Sequence, residues 1–378
     1  MPTPPAATQP PCWDPWLLQE DGDGQSDTYR LFYLSGSTGQ DPWWQTSWIC
    51  EAHSQDMCHW HHTGPVLEPL AGQGWESGRI FAGSAYQEEN TRYLFYSAAS
   101  KSEISKEAIG LATSTDGQHW HRFDKPLLLL ADDCDVCTNT GIGYAGKCNW
   151  ASHLHWRDPY ILKAPATQKY YLFFCASLTG SALYQGGVGV ATADHLAGPY
   201  RLLPPIAGPG VVAEELSSTS DSVSDSVADE PADASARWPF YHLERPQVIY
   251  FQGKYHLFFS CFKEFVNPLW LEEIGSDNVS DSTLYWYVSD QITGPFKPAG
   301  PLPVVPGSDA TGLYGTTFFP KTHRGNWQQA DLSNEIEMSV LGWYSENYRL
   351  AVSQEFIAIW TQSGLKIAAN PAVSRSIE

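Results

Sequence analysis

Short apolar runs recur in pairs along this chain, and the pairs repeat. In LERPQVIYFQGKYHLFFS (243–260) an apolar run, Val248-Ile249-Tyr250, enters the turn Gln252-Gly253-Lys254, and a second run extends from Tyr255 to Ser260. Two apolar runs joined by a short Gly-containing turn predict a β-hairpin. WRDPYILKAPATQKYYLFFCAS (156–177), WDPWLLQEDGDGQSDTYRLFYLSG (13–36) and IFAGSAYQEENTRYLFYSAAS (80–100) have the same layout. Each is followed by a second recurring segment, at 48–67, 109–128, 188–206 and 284–305. This segment holds an apolar strand, a turn carrying an aromatic (Trp60, Trp120, Tyr200, Phe296) and a Pro-marked exit. A fifth, degraded copy is read at 338–371. No helix of convincing length or period is found.

Four strands per unit and about five units predict an all-β fold, a five-bladed β-propeller. The main alternative is a β-sandwich with insertions. In a propeller the first strand of each blade lines a central channel, and equivalent strand ends converge at one mouth, giving a funnel-shaped site. Residues 12–378 are read as one such domain. The Pro-rich segment 1–11 is expected to be disordered, and so is EELSSTSDSVSDSVADEPADASA (214–236), an acidic insertion too poor in apolar residues to fold alone.

Composition narrows the partners. The 378 residues carry 42 Asp+Glu against 22 Lys+Arg, a formal net charge of −20, which repels nucleic acid and anionic membrane surfaces. No apolar run reaches a membrane span. The N-terminus lacks the basic start and apolar segment of a secretory signal, so the cytoplasm is expected, with export lacking a cleaved signal as the alternative. Aromatic content of 13%, with 16 Trp, suits a β-rich core and suits stacking on sugar rings. Eight Cys at irregular spacing form no disulfide framework. Cys134-x-x-Cys137 lacks a second pair at zinc spacing, and Cys58-His59-Trp60-His61-His62 reads as exposed strand and turn, so no metal is expected.

The chemistry lies in three carboxylates. Asp14, Asp158 and Glu244 open the first strand of blades one, three and four, and would meet at the channel mouth. Facing carboxylates suit glycosidic cleavage: one ionised group attacks the anomeric carbon, and one protonated group gives its proton to the leaving oxygen. A third can bind sugar hydroxyls. Arg157 and Arg245 adjoin two of the acids; by strand alternation they point to the opposite face and could hold a neighbouring strand's carboxylate or a sugar.

These motifs resemble those of the levansucrase/inulosucrase family of glycoside hydrolases. WDPWLLQ resembles its nucleophile motif, FAGSA its W-S-G-S-A, WRDPYI its R-D-P, LERPQVI its E-R-P, and LYWYVSDQITGPFKP its following blade segment. The resemblance implies a five-bladed propeller of the furanosidase superfamily, with Asp14 as nucleophile forming a fructosyl-enzyme. It implies Glu244 as general acid/base and Asp158 as stabiliser of the oxocarbenium-like state. Trp13, Ser84, Arg157 and Arg245 would shape the sugar pockets. It further implies retention, a sucrose-type donor, an acceptor that is water, fructan or another sugar, and no cofactor. The chain departs from the family at Phe81-Ala82 (for Trp-Ser), Tyr160 and Gln247 (each often His), His242 (an acid in some members) and Tyr241, which lacks the carboxylate that holds calcium in Gram-positive members. Those departures leave open a furanosidase with another donor, such as an arabinofuranoside. A non-catalytic glycan-binding propeller is the alternative of another class.

Overall fold

The structure is a computed structural model. It describes residues 11–20, 28–37, 43–131, 133–146, 154–180, 183–211, 238–308, 313–320, 337–344, 350–361 and 364–371. The expected disordered segments, 1–11 and 214–236, lie outside these residues apart from position 11.

Five four-stranded antiparallel sheets form, each from strands consecutive in sequence. Blade one comprises β1 (Trp13–Glu20), β2 (Thr28–Gly36), β3 (Ser47–Ser54) and β4 (His61–Leu67). Blade two comprises β5 (Arg79–Glu88), β6 (Thr91–Ala99), β7 (Glu107–Ser114) and β8 (His121–Arg122). Blade three runs through β9 (Trp156–Lys163), β10 (Tyr170–Ser177), β11 (Gly186–Ala193) and β12 (Arg201–Ala207). Blade four runs through β13 (Glu244–Phe251), β14 (Lys254–Ser260), β15 (Leu284–Ser289) and β16 (Lys297–Pro298). Blade five holds β17 (Tyr314–Pro320), β18 (Glu337–Trp343), β19 (Phe356–Thr361) and β20 (Gly364–Ala369). The innermost strands contact one another in a closed ring, β1 to β5, β9, β13, β17 and back to β1.

The propeller is the fold expected from the repeats. One detail corrects the sequence reading. The fifth unit does not begin at 338: its innermost strand is Tyr314–Pro320, and 338–371 supplies only its outer three. Among the described residues the α-helix is a single short one, α1 (Pro268–Ile274), in keeping with the absence of long helices expected; it is started by Pro268 at its first turn and by the Asn267 side chain, which accepts from the Leu269 N–H.

The core lies between blades, where large aromatic rings interleave. Phe258 of blade four meets Phe318 of blade five with ring centroids 4.4 Å apart, and Trp120, from the turn before β8, meets Phe32 of blade one at 5.7 Å. The fully buried Phe32, Phe258 and Phe318 rings each contribute roughly 1.5–3 kcal/mol through removal of apolar surface from water, and Trp120 is partly buried against Phe32. The blades therefore hold the mouth of the channel as a rigid frame.

A β-bulge sits at the mouth end of all five innermost strands. Register breaks between Trp13 and Trp16, between Glu244 and Gln247, between Tyr314 and Thr317, and opposite Arg157 to Tyr160; in blade two it breaks between Phe81 and Gly83. Four bulges hold a left-handed residue: Asp14 (φ 47°), Asp158 (φ 58°), Arg245 (φ 54°) and Gly315 (φ 56°). Pro15, Pro159 and Pro246 follow the first three, in a position where a missing N–H breaks no ladder bond.

Candidate active site

The bulges decide which side chains enter the funnel. A regular strand would send adjacent residues to opposite faces. The left-handed residue removes that alternation, so Trp13 and Asp14 line the same pocket, as do Arg157 and Asp158. The three acids are brought together, but their strands are not in the same register. The bulge residue is Asp14 in blade one and Asp158 in blade three, but Arg245 in blade four. Glu244 occupies the position of Trp13 and Arg157, one residue earlier.

The pocket encloses about 560 Å³, a size suited to a small sugar ligand. Its floor holds the acids. Asp14 Oδ1 accepts from Trp343 Nε1 at 3.0 Å. Asp158 Oδ2 accepts the Arg245 backbone N–H at 3.0 Å. Glu244 Oε1 accepts from Arg157 Nη2 at 2.6 Å, Glu244 Oε2 accepts from the Tyr314 hydroxyl, and His242 Nε2 stands 3.6 Å from Oε2. Arg157 also donates to Glu107 Oε2 at 3.2 Å and contacts His155 Nδ1 at 2.5 Å. Arg79 Nη2 donates to Glu107 Oε1 at 3.1 Å, with its guanidinium 4.2 Å from the Phe81 ring centre.

Burial pushes the Asp14 carboxyl up to about 7; the Arg245 charge opposes that, and Asp158 and Glu244 add to it. Burial likewise raises Asp158 to about 6 against the pull of Arg157 and Arg245. Glu244 moves the other way, to about 2: burial would raise it, but His242, Arg157 and the Tyr314 hydrogen bond together outweigh burial. Burial lowers His242 to about 4, so it is neutral near pH 7. The downward direction for Glu244 therefore rests on Arg157 and Tyr314. Burial raises Asp14 and Asp158 while Arg157 and Tyr314 lower Glu244, directions opposite to the division expected from sequence. The charges of the three acids act on one another, so they titrate as a set.

Two of the sugar-binding residues expected from sequence lie elsewhere. Ser84 is buried beneath the pocket, where its hydroxyl accepts the Ile161 N–H at 3.2 Å and ties blade two to blade three. The Arg245 guanidinium also turns below, donating to the carbonyls of Gly83 (2.8 Å) and Pro15 (3.1 Å). Trp13 and Arg157 do line the pocket. Of the departures noted from sequence, Tyr160 and Gln247 line the smaller cavity below. Gln247 pairs there with the backbone of Phe318 at 2.9 and 3.2 Å. Ala82 is wholly buried, whereas Phe81, Tyr241 and His242 face the pocket.

Sequence reasoning missed Arg79, Glu107, His155, Tyr314 and Trp343. Tyr314 carried a readable signal, since Leu-Tyr-Gly-Thr-Thr-Phe-Phe-Pro (313–320) is an innermost strand without an acid. Glu107 carried none: it opens β7, an outer strand, and reaches the site because that strand starts at the mouth. Among the described residues no group of three or more His, Cys, Asp and Glu is placed to hold a metal ion.

Residues 24–185 match the glycosyl hydrolases family 32 N-terminal domain. The fold is shared with inulosucrase from Halalkalicoccus jeotgali bound to kestose, at a TM-score of 0.65 and 19% identity over 97% of this chain and 89% of that one. It is shared with Bacillus subtilis levansucrase at 0.63 and 13%, over 95% and 86%. It is shared also with a levansucrase complexed with sucrose, at 0.63 and 14%, over 95% and 86%. A segment of 76 residues is 32% identical to the β-1,2-mannobiose phosphorylase of Thermoanaerobacter sp. (strain X514), covering 17% of this chain and only a quarter (25%) of that enzyme's length. The chain thus carries a glycoside hydrolase domain match on the five-bladed propeller of the levansucrases and inulosucrase.

Proposed function

We propose that this protein is a retaining glycosidase or fructosyltransferase that takes a β-fructofuranosyl donor of the sucrose type. The observation that carries the reading is the meeting of Asp14, Asp158 and Glu244 from three blades at the floor of one aromatic-walled pocket. In the proposed mechanism the sugar ring stacks on the pocket aromatics. Asp14, in its ionised form and steadied by Trp343, attacks the anomeric carbon. Glu244, after taking the shared proton, delivers it to the leaving oxygen. Asp158 binds ring hydroxyls as positive charge develops. Glu244 then deprotonates the incoming acceptor, and the ester to Asp14 is broken with net retention. Solved relatives of the same fold are bound to sucrose and to kestose, which supports a sugar donor and a sugar acceptor.

The second reading is a furanosidase with another donor, such as an arabinofuranoside. Phe81 favours it, because this ring faces the pocket where the levansucrase-like motif has Trp. Incubation with sucrose, with glucose and fructose measured over time, tests the first reading. Glucose in excess of fructose means transfer to sugar or fructan, and equal amounts mean hydrolysis. Release of neither by folded protein removes sucrose and leaves the second reading, which an arabinofuranoside substrate then tests.

A further inference from the structure

We infer that Glu107 is a positioning residue whose negative charge obliges the pocket to retain the one proton its acid/base step needs; this rests on the glycosidase reading above. Glu107 sits outside the set of three acids, yet it is wired to them. Its carboxylate takes Arg79 Nη2 at 3.1 Å, Arg157 Nη1 at 3.2 Å and the Trp156 N–H at 3.0 Å. Arg157 goes on to Glu244 at 2.6 Å. The Arg79 and Glu107 side chains are each 2% exposed, so water does little to screen them. A continuous line of charge runs from the Phe81 wall through Arg79, Glu107 and Arg157 to the proton donor.

Four carboxylates (Asp14, Asp158, Glu244, Glu107) face three guanidiniums (Arg79, Arg157, Arg245), which leaves one negative charge in excess. An excess charge in a buried cluster is costly, and one bound proton cancels it. The other titratable groups against the cluster leave that count alone. His242 is neutral, burial holds the Tyr314 hydroxyl and the Cys175 and Cys261 thiols in their protonated forms, and Glu264 lies exposed at the rim. His155 contacts Arg157 Nη1 and needs no proton to do so. Without the Glu107 charge, three carboxylates would balance three guanidiniums with every acid ionised. Glu244, already held by Arg157, would then have no proton to give.

The test is kcat/KM against pH for wild type, Glu107→Gln and Glu107→Gln/Arg79→Met. Two donors are compared: sucrose, whose leaving oxygen needs a proton, and an aryl β-fructofuranoside, whose phenolate leaves without one. In Glu107→Gln the alkaline limb moves roughly one pH unit or more to lower pH. At neutral pH sucrose turnover falls at least about tenfold more than aryl turnover. The double variant restores the excess, three carboxylates against two guanidiniums, and both effects revert. An unmoved limb, equal losses on the two donors or no reversal overturns the inference. If Glu107→Gln does not fold, Arg79→Met alone supplies the converse, four against two, and its limb must move to higher pH. A wild type that cleaves neither fructoside removes the fructosyl-donor reading and leaves the furanosidase with another donor. Infrared difference titration of the carboxyls then decides the charge claim: their last proton leaves at lower pH in Glu107→Gln, and an unchanged titration overturns it.

Discussion

Burial raises the Asp14 carboxyl from an ordinary 3.8 to about 7, and a shift of that sign works against folding at neutral pH. A group whose folded value is raised contributes its stability below the unfolded value and loses it as pH climbs through the folded one. Asp14→Asn keeps an acceptor for Trp343 and removes the ionisation. It is expected to raise stability at pH 8 by on the order of 1–3 kcal/mol, and to leave it unchanged at pH 4, in urea melts at the two pH values. Under the proposed mechanism the same substitution is expected to abolish turnover, so the Asp14 carboxylate would be held at a cost to the fold. For wild type, the sign of the shared proton predicts that kcat/KM falls as pH rises through about 7, because the one-proton state is then lost. A profile still climbing above that pH contradicts this. The acids were legible in sequence because each stands beside a Pro-marked strand entry. Their electrostatic division was not, because it depends on Arg157 and Tyr314 arriving from other blades.

The bulged ends of the innermost strands are the elements that make a site out of repeats. In blade five the bulge residue is Gly315, at φ 56°; a Cβ there would stand 2.7 Å from Asp14 Oδ1 and 3.2 Å from Trp343 Nε1. Gly315→Ala is therefore expected to lose about 1–2 kcal/mol of stability from backbone strain alone. It should lower kcat/KM further, at least about tenfold, by displacing Asp14, the proposed nucleophile. Melting temperature and kcat/KM measured on one preparation separate the two effects, and a stability loss with full activity would contradict the second. The hairpins themselves were readable: Gln252 and Gly253, both at positive φ (50° and 78°), form the predicted turn. The bulges were not, since one extra residue leaves the apolar pattern intact while moving the next side chain to the other face. That is why Glu244 seemed aligned with the two aspartates and is offset by one. Ser84 and Arg245 were assigned to the pocket by the family resemblance, and both lie below it.

At the scale of the whole molecule, the ring closes where blade one meets blade five, through the Cys12 N–H on the Leu350 carbonyl and Trp343 on Asp14. The closure and Asp14 share the Trp343 side chain, so the geometry of the site depends on the intact ring. The chain carries a formal net charge of −20, and self-repulsion of that size is screened by salt. Raising ionic strength from about 0.01 M to about 0.15 M is expected to raise the melting temperature; a fall would contradict that. Five blades could be counted from sequence because four of their hairpins share one pattern. The ring order and the Arg79–Glu107–Arg157–Glu244 line could not be read, because they arise only when distant strand ends are brought to one mouth. The measurement closest to the central claim is acid quenching of Glu244→Gln during turnover of an aryl β-fructofuranoside, followed by peptide mass analysis. A fructosyl group covalently bound to the peptide at Asp14 is the predicted result. Turnover with no covalent sugar, or with the sugar on another residue, would contradict the assignment of Asp14 and the retaining mechanism built on it.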